Sequence, residues 1–190
     1  MLIRPATPDD AAGIAAVRRV SWPAAYAGIL APEVIEQVVD RATEARERGS
    51  FTGRPWRHVL VAENPPGPAV DPAEAPAAVI TGYASYGIER SVDGLPRSPR
   101  AGPGARPLAA ELYALYVAPD HWSTGTGRAL MDQVLAAVLA EGHGRIILWV
   151  LRDNHRARRF YERAGFRRRG REHPSFAGAP EVRYVRDLDP

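Results

Sequence analysis

Residues 115–127 read Leu-Tyr-Val-Ala-Pro-Asp-His-Trp-Ser-Thr-Gly-Thr-Gly, and Arg128-Ala129-Leu130-Met131 follow as the start of an apolar-periodic stretch. A strand that runs through a Gly-x-Gly turn into a helix start presents several N–H groups with no intrahelical acceptor. The helix dipole adds positive potential at the same place. Gly125 and Gly127 carry no Cβ, so an anion can come close to the main chain. The chemistry these residues suit is phosphate binding. A second strand-to-helix passage lies downstream. Ile146 to Leu151 is an apolar run, Asp153-Asn154 offers N-cap side chains, and Ala157, Phe160, Tyr161 and Ala164 recur on one helical face before Gly165.

The elements that must hold these residues can be read outward from them. Leu2 to Arg4 is a first strand. Thr7-Pro8-Asp9-Asp10 is a helix start, with Thr7 as N-cap and Ile14, Val17 and Val20 as the apolar stripe. A second helix is predicted from Pro32 to about Arg48, and Ser21 to Leu30 is an aromatic connector between the two. His58–Glu63, Val79–Glu89 and Leu108–Val117 are strands. The Pro- and Ala-rich stretches Asn64–Ala77 and Ser91–Pro107 are loops within one domain of residues 1–190. Phe166–Arg171 and Glu181–Leu188 fit a closing hairpin. Two successive strand–helix units predict adjacent parallel strands in a mixed α/β sheet.

Composition narrows the classes. There is no cysteine, hence no disulfide framework and no thiolate nucleophile. Five histidines without a tight cluster argue against a metal site. No apolar run is long enough to span a bilayer, and the first residues lack a signal-peptide core, so a soluble cytoplasmic protein is expected. All 25 basic side chains are arginine, and the net charge is only +3. The Arg152–Arg171 stretch concentrates arginines. A nucleic-acid face is one reading of it. A solvated helix face with a few phosphate contacts is the favoured one, because Phe160, Tyr161 and Phe166 have core spacing.

The Gly loop and the Asn154-x-x-Ala157-x-x-Phe160-Tyr161-x-x-x-Gly165-Phe166 helix resemble, in order and spacing, two signature blocks of the GCN5-related N-acetyltransferase (GNAT) superfamily. The likeness covers nearly the whole chain and points to an uncharacterised bacterial branch. It implies a mixed central sheet with splayed parallel strands flanked by helices, acetyl-CoA as co-substrate and no metal. It also implies that main chain of Leu115, Tyr116 and Val117 pairs with the pantetheine arm. Ser123, Thr124, Gly125, Thr126, Gly127, Arg128 and Ala129 form the pyrophosphate loop, and Asn154 and Ala157 complete the cofactor side. Trp122 stands where the family usually has Gln or Arg. It offers a flat surface and one N–H but no charge.

Acetyl transfer to an amine implies a base, because reaching the neutral form of an alkylamine at pH 7 costs about 4–5 kcal/mol. Glu111 on the central strand is the leading base, with Glu89 next and ordered water as a third option. Strict alternation would put Glu111, Tyr113, Leu115 and Val117 on one face, and a bulge would change that. Tyr161 matches the family tyrosine near the coenzyme sulfur. Trp22, Tyr26, Glu89 and Tyr113 are expected on the acceptor side. The acceptor class is a primary amine, either a small molecule or a peptide N-terminus, and a homodimer is allowed. Two other functions stay open: a non-catalytic acyl-CoA-binding regulator, and a nucleic-acid-binding module using Arg152–Arg171.

Overall fold

The structure is a computed structural model that describes residues 1–51, 56–65, 79–90, 109–175 and 177–188. The strands are β1 (Leu2–Pro5), β2 (Arg57–Asn64), β3 (Val79–Ile88), β4 (Ala110–Val117), β5 (Arg145–Leu151), β6 (Arg167–Arg168), β7 (His173–Pro174) and β8 (Pro180–Asp187). The helices are α1 (Ala11–Tyr26), α2 (Pro32–Asp40), α3 (Glu44–Gly49), α4 (Thr126–Ala140) and α5 (His155–Arg163). The strands form one sheet in the order β1-β2-β3-β4-β5-β8-β6, with β7 also on β8. The two predicted Pro- and Ala-rich loops, and Leu108, lie outside the described residues apart from Asn64 and Pro65.

Among the described residues only β4 and β5 pair in parallel, as the two strand–helix units required. They pair for three residues, Ala110–Leu112 against Ile146–Leu148. Beyond that point β4 runs on to Val117 and β5 to Leu151 without pairing to each other. The expected splay is therefore present, and the gap begins just past Leu112.

Three apolar clusters hold the layers. Leu130, Met131, Val134 and Val138 of α4 and Tyr161 of α5 pack on Leu112, Ile146, Leu148, Val150 and Val182 of the sheet. On the other face Ile14 and Val17 of α1 pack on Val61 and Tyr83. Trp22, Leu30 and Ile35 form a third cluster with Leu151, Ala177 and Ala179. A fully buried Leu or Val side chain contributes roughly 1.5–3 kcal/mol, so the α4 layer is the main stabiliser.

Several boundaries differ from the sequence reading. Pro8–Asp10 is a single 3-10 turn, and the α-helix proper begins at Ala11. The Asp10 carboxylate takes the Thr7 N–H at 2.8 Å and a bidentate Arg4 guanidinium, which fixes the turn. Val20 is exposed rather than part of the α1 stripe. Helix α1 continues through Pro23 to Tyr26, so Trp22 and Tyr26 stand on its last turns instead of in a connector. Pro23 removes one N–H, yet its carbonyl still accepts from Ala27. The predicted second helix is two helices. Thr43 breaks it by capping α3, its hydroxyl accepting the Arg46 N–H at 3.3 Å. The closing hairpin is two short strands, β6 and β7, both paired to β8.

Candidate active site

The site forms where β4 and β5 part. A cavity of about 2240 Å³ runs from the Gly loop through the gap to the far face of the sheet. That is more room than a drug-sized ligand needs, and it suits two reactants entering from opposite sides.

The loop has the conformation the glycines announced. Gly125 caps α4 at φ +96, and Ser123 also takes a positive φ, of 64. A non-glycine residue in that region stores strain and marks a loop shaped for a purpose. Thr126, Gly127 and Arg128 occupy the first turn, where N–H groups have no intrahelical acceptor. The Ala129 N–H is different: it bonds the Gly125 carbonyl at 2.9 Å, so Ala129 has no free donor for a phosphate. The Thr124 hydroxyl donates to the His121 carbonyl at 2.8 Å and sits 3.0 Å from that of Thr126. Both threonines are thus used to brace the turn. Ser123, Gly125, Gly127 and Arg128 line the cavity, while Thr124, Thr126 and Ala129 do not.

Trp122 behaves as a platform. Its indole N–H donates to the Val117 carbonyl at 2.7 Å, tying the loop to the end of β4. The Arg156 guanidinium lies 3.3 Å from the centre of its ring, a cation–π stack. Arginine charge absent from position 122 is therefore supplied from α5. Asn154 caps α5, its Oδ1 accepting the Ala157 N–H at 3.0 Å, and both residues line the cavity. Gly165 ends α5 at φ +83, as its place after the helix required.

Leu115, Tyr116 and Val117 line the gap on the β4 edge that β5 leaves unpaired. Tyr161 is 9% exposed, among Phe160 and Phe166. Burial pushes its phenol pKa well up, and nearby Tyr116 pushes the same way, so the hydroxyl stays protonated across the physiological range. Tyr26 and Tyr116 are 3.1 Å apart hydroxyl to hydroxyl, and the Trp22 ring lies tilted against both, 4.7 and 6.1 Å between ring centres.

A bulge rearranges the central strand. Ser85 pairs with Ala114 and Tyr86 with Leu112, which leaves Tyr113 as the extra residue of β4. Leu112, Leu115 and Val117 then face α4, whereas Ala114 and Tyr116 face α1. Glu111 shares the α1 side rather than a face with Leu115 and Val117. The Tyr113 hydroxyl donates to the Ile88 carbonyl, and the Arg90 guanidinium lies 4.1 Å from its ring centre.

Glu111 is 3% exposed and fully engaged. Its Oε1 accepts from the Arg90 guanidinium at 2.6 Å and its Oε2 from the Arg90 main-chain N–H at 2.9 Å. Glu89 reaches across to Arg183 of β8 at 3.1 Å. A carboxylate not singled out by sequence, Glu181, lines the same cavity. Burial pushes its carboxyl pKa up. His173 opposes the shift, the Glu111 charge reinforces it, and Arg90 opposes it. Period-two alternation in Glu181-Val182-Arg183 was the sequence signal for Glu181 and Arg183, since Val182 is core. Arg156 had a weaker signal, two residues past the Asn154 cap.

The Arg152–Arg171 stretch is divided rather than a single basic face. Arg152 bonds Asp153, Arg158 bonds Tyr184 and the Arg152 carbonyl, and Arg168 bonds Glu172. Among the described residues no group of His, Cys, Asp and Glu could hold a metal ion, and no helix is long and apolar enough to cross a membrane.

Comparison with known proteins bears on this geometry. Residues 33–166 match the acetyltransferase (GNAT) family model. An uncharacterized N-acetyltransferase of Mycobacterium tuberculosis is 31% identical over 163 residues, 85% of each chain. The PaiA N-acetyltransferase of Thermoplasma acidophilum, solved in complex with coenzyme A, superposes with a TM-score of 0.68 at 18% identity over 98% of both chains. The YncA protein of Salmonella typhimurium, solved with acetyl-CoA, gives 0.64 at 22% identity, covering 99% of this chain and 94% of that one. With a family match through its centre and a relative spanning most of its length, the chain belongs to the acetyltransferase (GNAT) family.

Proposed function

We propose that this acetyltransferase moves the acetyl group of acetyl-CoA to a primary amine, on a small molecule or a peptide N-terminus, by direct attack with general-base assistance. The observation that carries the reading is the β4 edge, unpaired from β5 beyond Leu112 and ending in the positive-φ loop at Gly125. Unpaired strand main chain suits an amide-bearing arm, and the α4 N-terminus suits a pyrophosphate. A β-carbon added at Gly125 would meet nothing within 4 Å, so the approach to the loop is open.

On this reading Leu115, Tyr116 and Val117 hold the pantetheine by main chain. Gly125, Gly127 and Arg128 hold the phosphates through N–H groups, with Ser123, Trp122, Arg156, Asn154 and Ala157 around them. When bound, acetyl-CoA supplies a thioester whose carbonyl the amine attacks. The Tyr161 hydroxyl, kept protonated by burial, donates a hydrogen bond where sulfur gains charge. Full proton transfer from it is disfavoured, since even an unperturbed phenol lies about 1.5 pKa units above a thiol. Glu111 accepts the amine proton through water, with Arg90 holding the carboxylate in place. Trp22, Tyr26 and Tyr113 line the acceptor side, and Glu89 stands behind Glu111 as the second carboxylate.

The test is a panel of primary amines with acetyl-CoA, followed by release of free thiol, beside a calorimetric titration of acetyl-CoA alone. Binding together with amine-dependent thiol release supports the proposal. Tight binding without turnover on any amine would favour an acyl-CoA-binding regulator. No binding would remove the Gly loop from the site.

A further inference from the structure

The sheet face opposite α4 and α5 carries a charge pattern on β5 and β8 that packing does not explain. Ile146, Leu148, Val150, Val182 and Tyr184 point into the α4 layer, so Trp149, Glu181 and Arg183 point the other way, into the cavity. There Glu111 is matched by Arg90 and Glu89 by Arg183. Glu181 is left as a carboxylate with no guanidinium ion pair among the described residues.

The segment before β8 supplies the opposite sign. His173 meets Trp149 edge to face at 5.1 Å between ring centres, which brings this segment to the cavity. Its residues alternate. Arg168 and Glu172 turn away and pair with each other at 2.9 Å, and Glu172 also meets Arg152. Arg169, Arg171 and His173 line the cavity instead. Both arginines are exposed, and no carboxylate among the described residues pairs with either. Among the described residues, Glu181 is thus a cavity carboxylate without an ion pair, and Arg169 and Arg171 are guanidinium groups without a carboxylate partner on the wall beside it, separate from the α4 loop.

Resting on the acetyl-transfer reading above, we propose that the acceptor is a primary amine that also carries an anionic group. Its ammonium end sits at Glu181 beside Glu111, and its carboxylate or phosphate is held by Arg169 and Arg171. Guanidinium groups suit either anion, because their forked N–H donors match two oxygens at once. A raised carboxyl pKa at Glu181 fits a position that gains from an incoming cation.

The proposal is tested on protein saturated with coenzyme A. N-acetylaspartate, N-acetylphosphoethanolamine and the neutral N-acetylaspartate diamide are titrated by calorimetry. At least one anion is expected to bind about tenfold tighter than the diamide, and the stronger of the two identifies the anionic group. The double variant Arg169→Ala/Arg171→Ala should erase that preference, and Arg168→Ala, on the outer side, should keep it. Glu181→Gln should raise KM for the corresponding free amine while leaving the acetylated product's affinity unchanged. Equal binding of all three probes, no binding of any, or a preference that survives the double variant would overturn the proposal. An anion preference without acetyl transfer to any amine would sink the activity proposed above and leave the anion site standing. Brisk transfer to neutral amines with no anion preference would do the reverse.

Discussion

Tyr161 and Glu111 sit in the same cavity but are constrained in different ways. Tyr161 is buried with a protonated hydroxyl, while Glu111 has both oxygens occupied by Arg90. Tyr161→Phe removes only a donor that strengthens as sulfur gains charge. It should lower kcat roughly 10- to 100-fold and leave acetyl-CoA affinity within about twofold. Glu111→Gln keeps the shape but removes the proton acceptor. Turnover should fall about 10²-fold near pH 7, and the deficit should shrink as pH rises, because more amine is already neutral. Steady-state kinetics across pH on both variants, with an accepted amine, is the measurement. Wild-type turnover in both, with chemistry limiting the rate, would move the proton to Glu181, Glu89 or water.

At the scale of elements, the Gly loop and the bulge decide how the side chains meet. Gly125 holds φ +96, which a β-branched residue adopts only at a cost of about 1–3 kcal/mol. Gly125→Val should therefore remodel the loop and cut acetyl-CoA affinity more than tenfold, with a modest drop in melting temperature. Gly127 is a contrasting case. An added Cβ would meet Phe160 and Val117 at ordinary distances of 3.6–3.7 Å, and its backbone is helical. Gly127→Ala should raise stability by up to about 1 kcal/mol through helix propensity. Any loss of acetyl-CoA affinity in that variant would then report ligand approach to the main chain. Calorimetry and thermal melting on the pair separate the two effects, and weaker folding of Gly127→Ala would contradict this account of the loop.

For the molecule as a whole, buried phenols link folding to alkaline pH. Burial pushes Tyr26 and Tyr86 each up to about 12, and Tyr83, Tyr116 and Tyr161 are shifted in the same direction. The unfolded chain ionises its tyrosines near 10, so the folded state binds more protons between the two values. This stabilisation is complete below about pH 10 and is lost as pH rises towards 12. Phenolate absorbance and far-UV circular dichroism should therefore change together above pH 10. Tyrosines that all titrate near 10 with the helices intact would show that these phenols are not protected by the fold.

The amino-acid order alone determined what depends on near neighbours. The Gly125 turn, the Asn154 cap and the Gly165 stop all follow from backbone chemistry within a few residues, and the parallel direction of β4 and β5 follows from two successive strand–helix units. The likeness to GNAT proteins rested on the same short blocks. Only the tertiary structure decided features set by partners far along the chain. Arg156 comes to lie over Trp122, and Arg90 closes on Glu111 from 21 residues away. A bulge at Tyr113 answers to pairing with β3, not to the β4 sequence, and it turned the predicted face of Glu111. Glu181, Arg169 and Arg171 meet the other site residues only because the last strand folds back beside β5. Periodicity assigns a side chain to a face, but which charges share that face depends on the strand order, and that order is a property of the packed sheet.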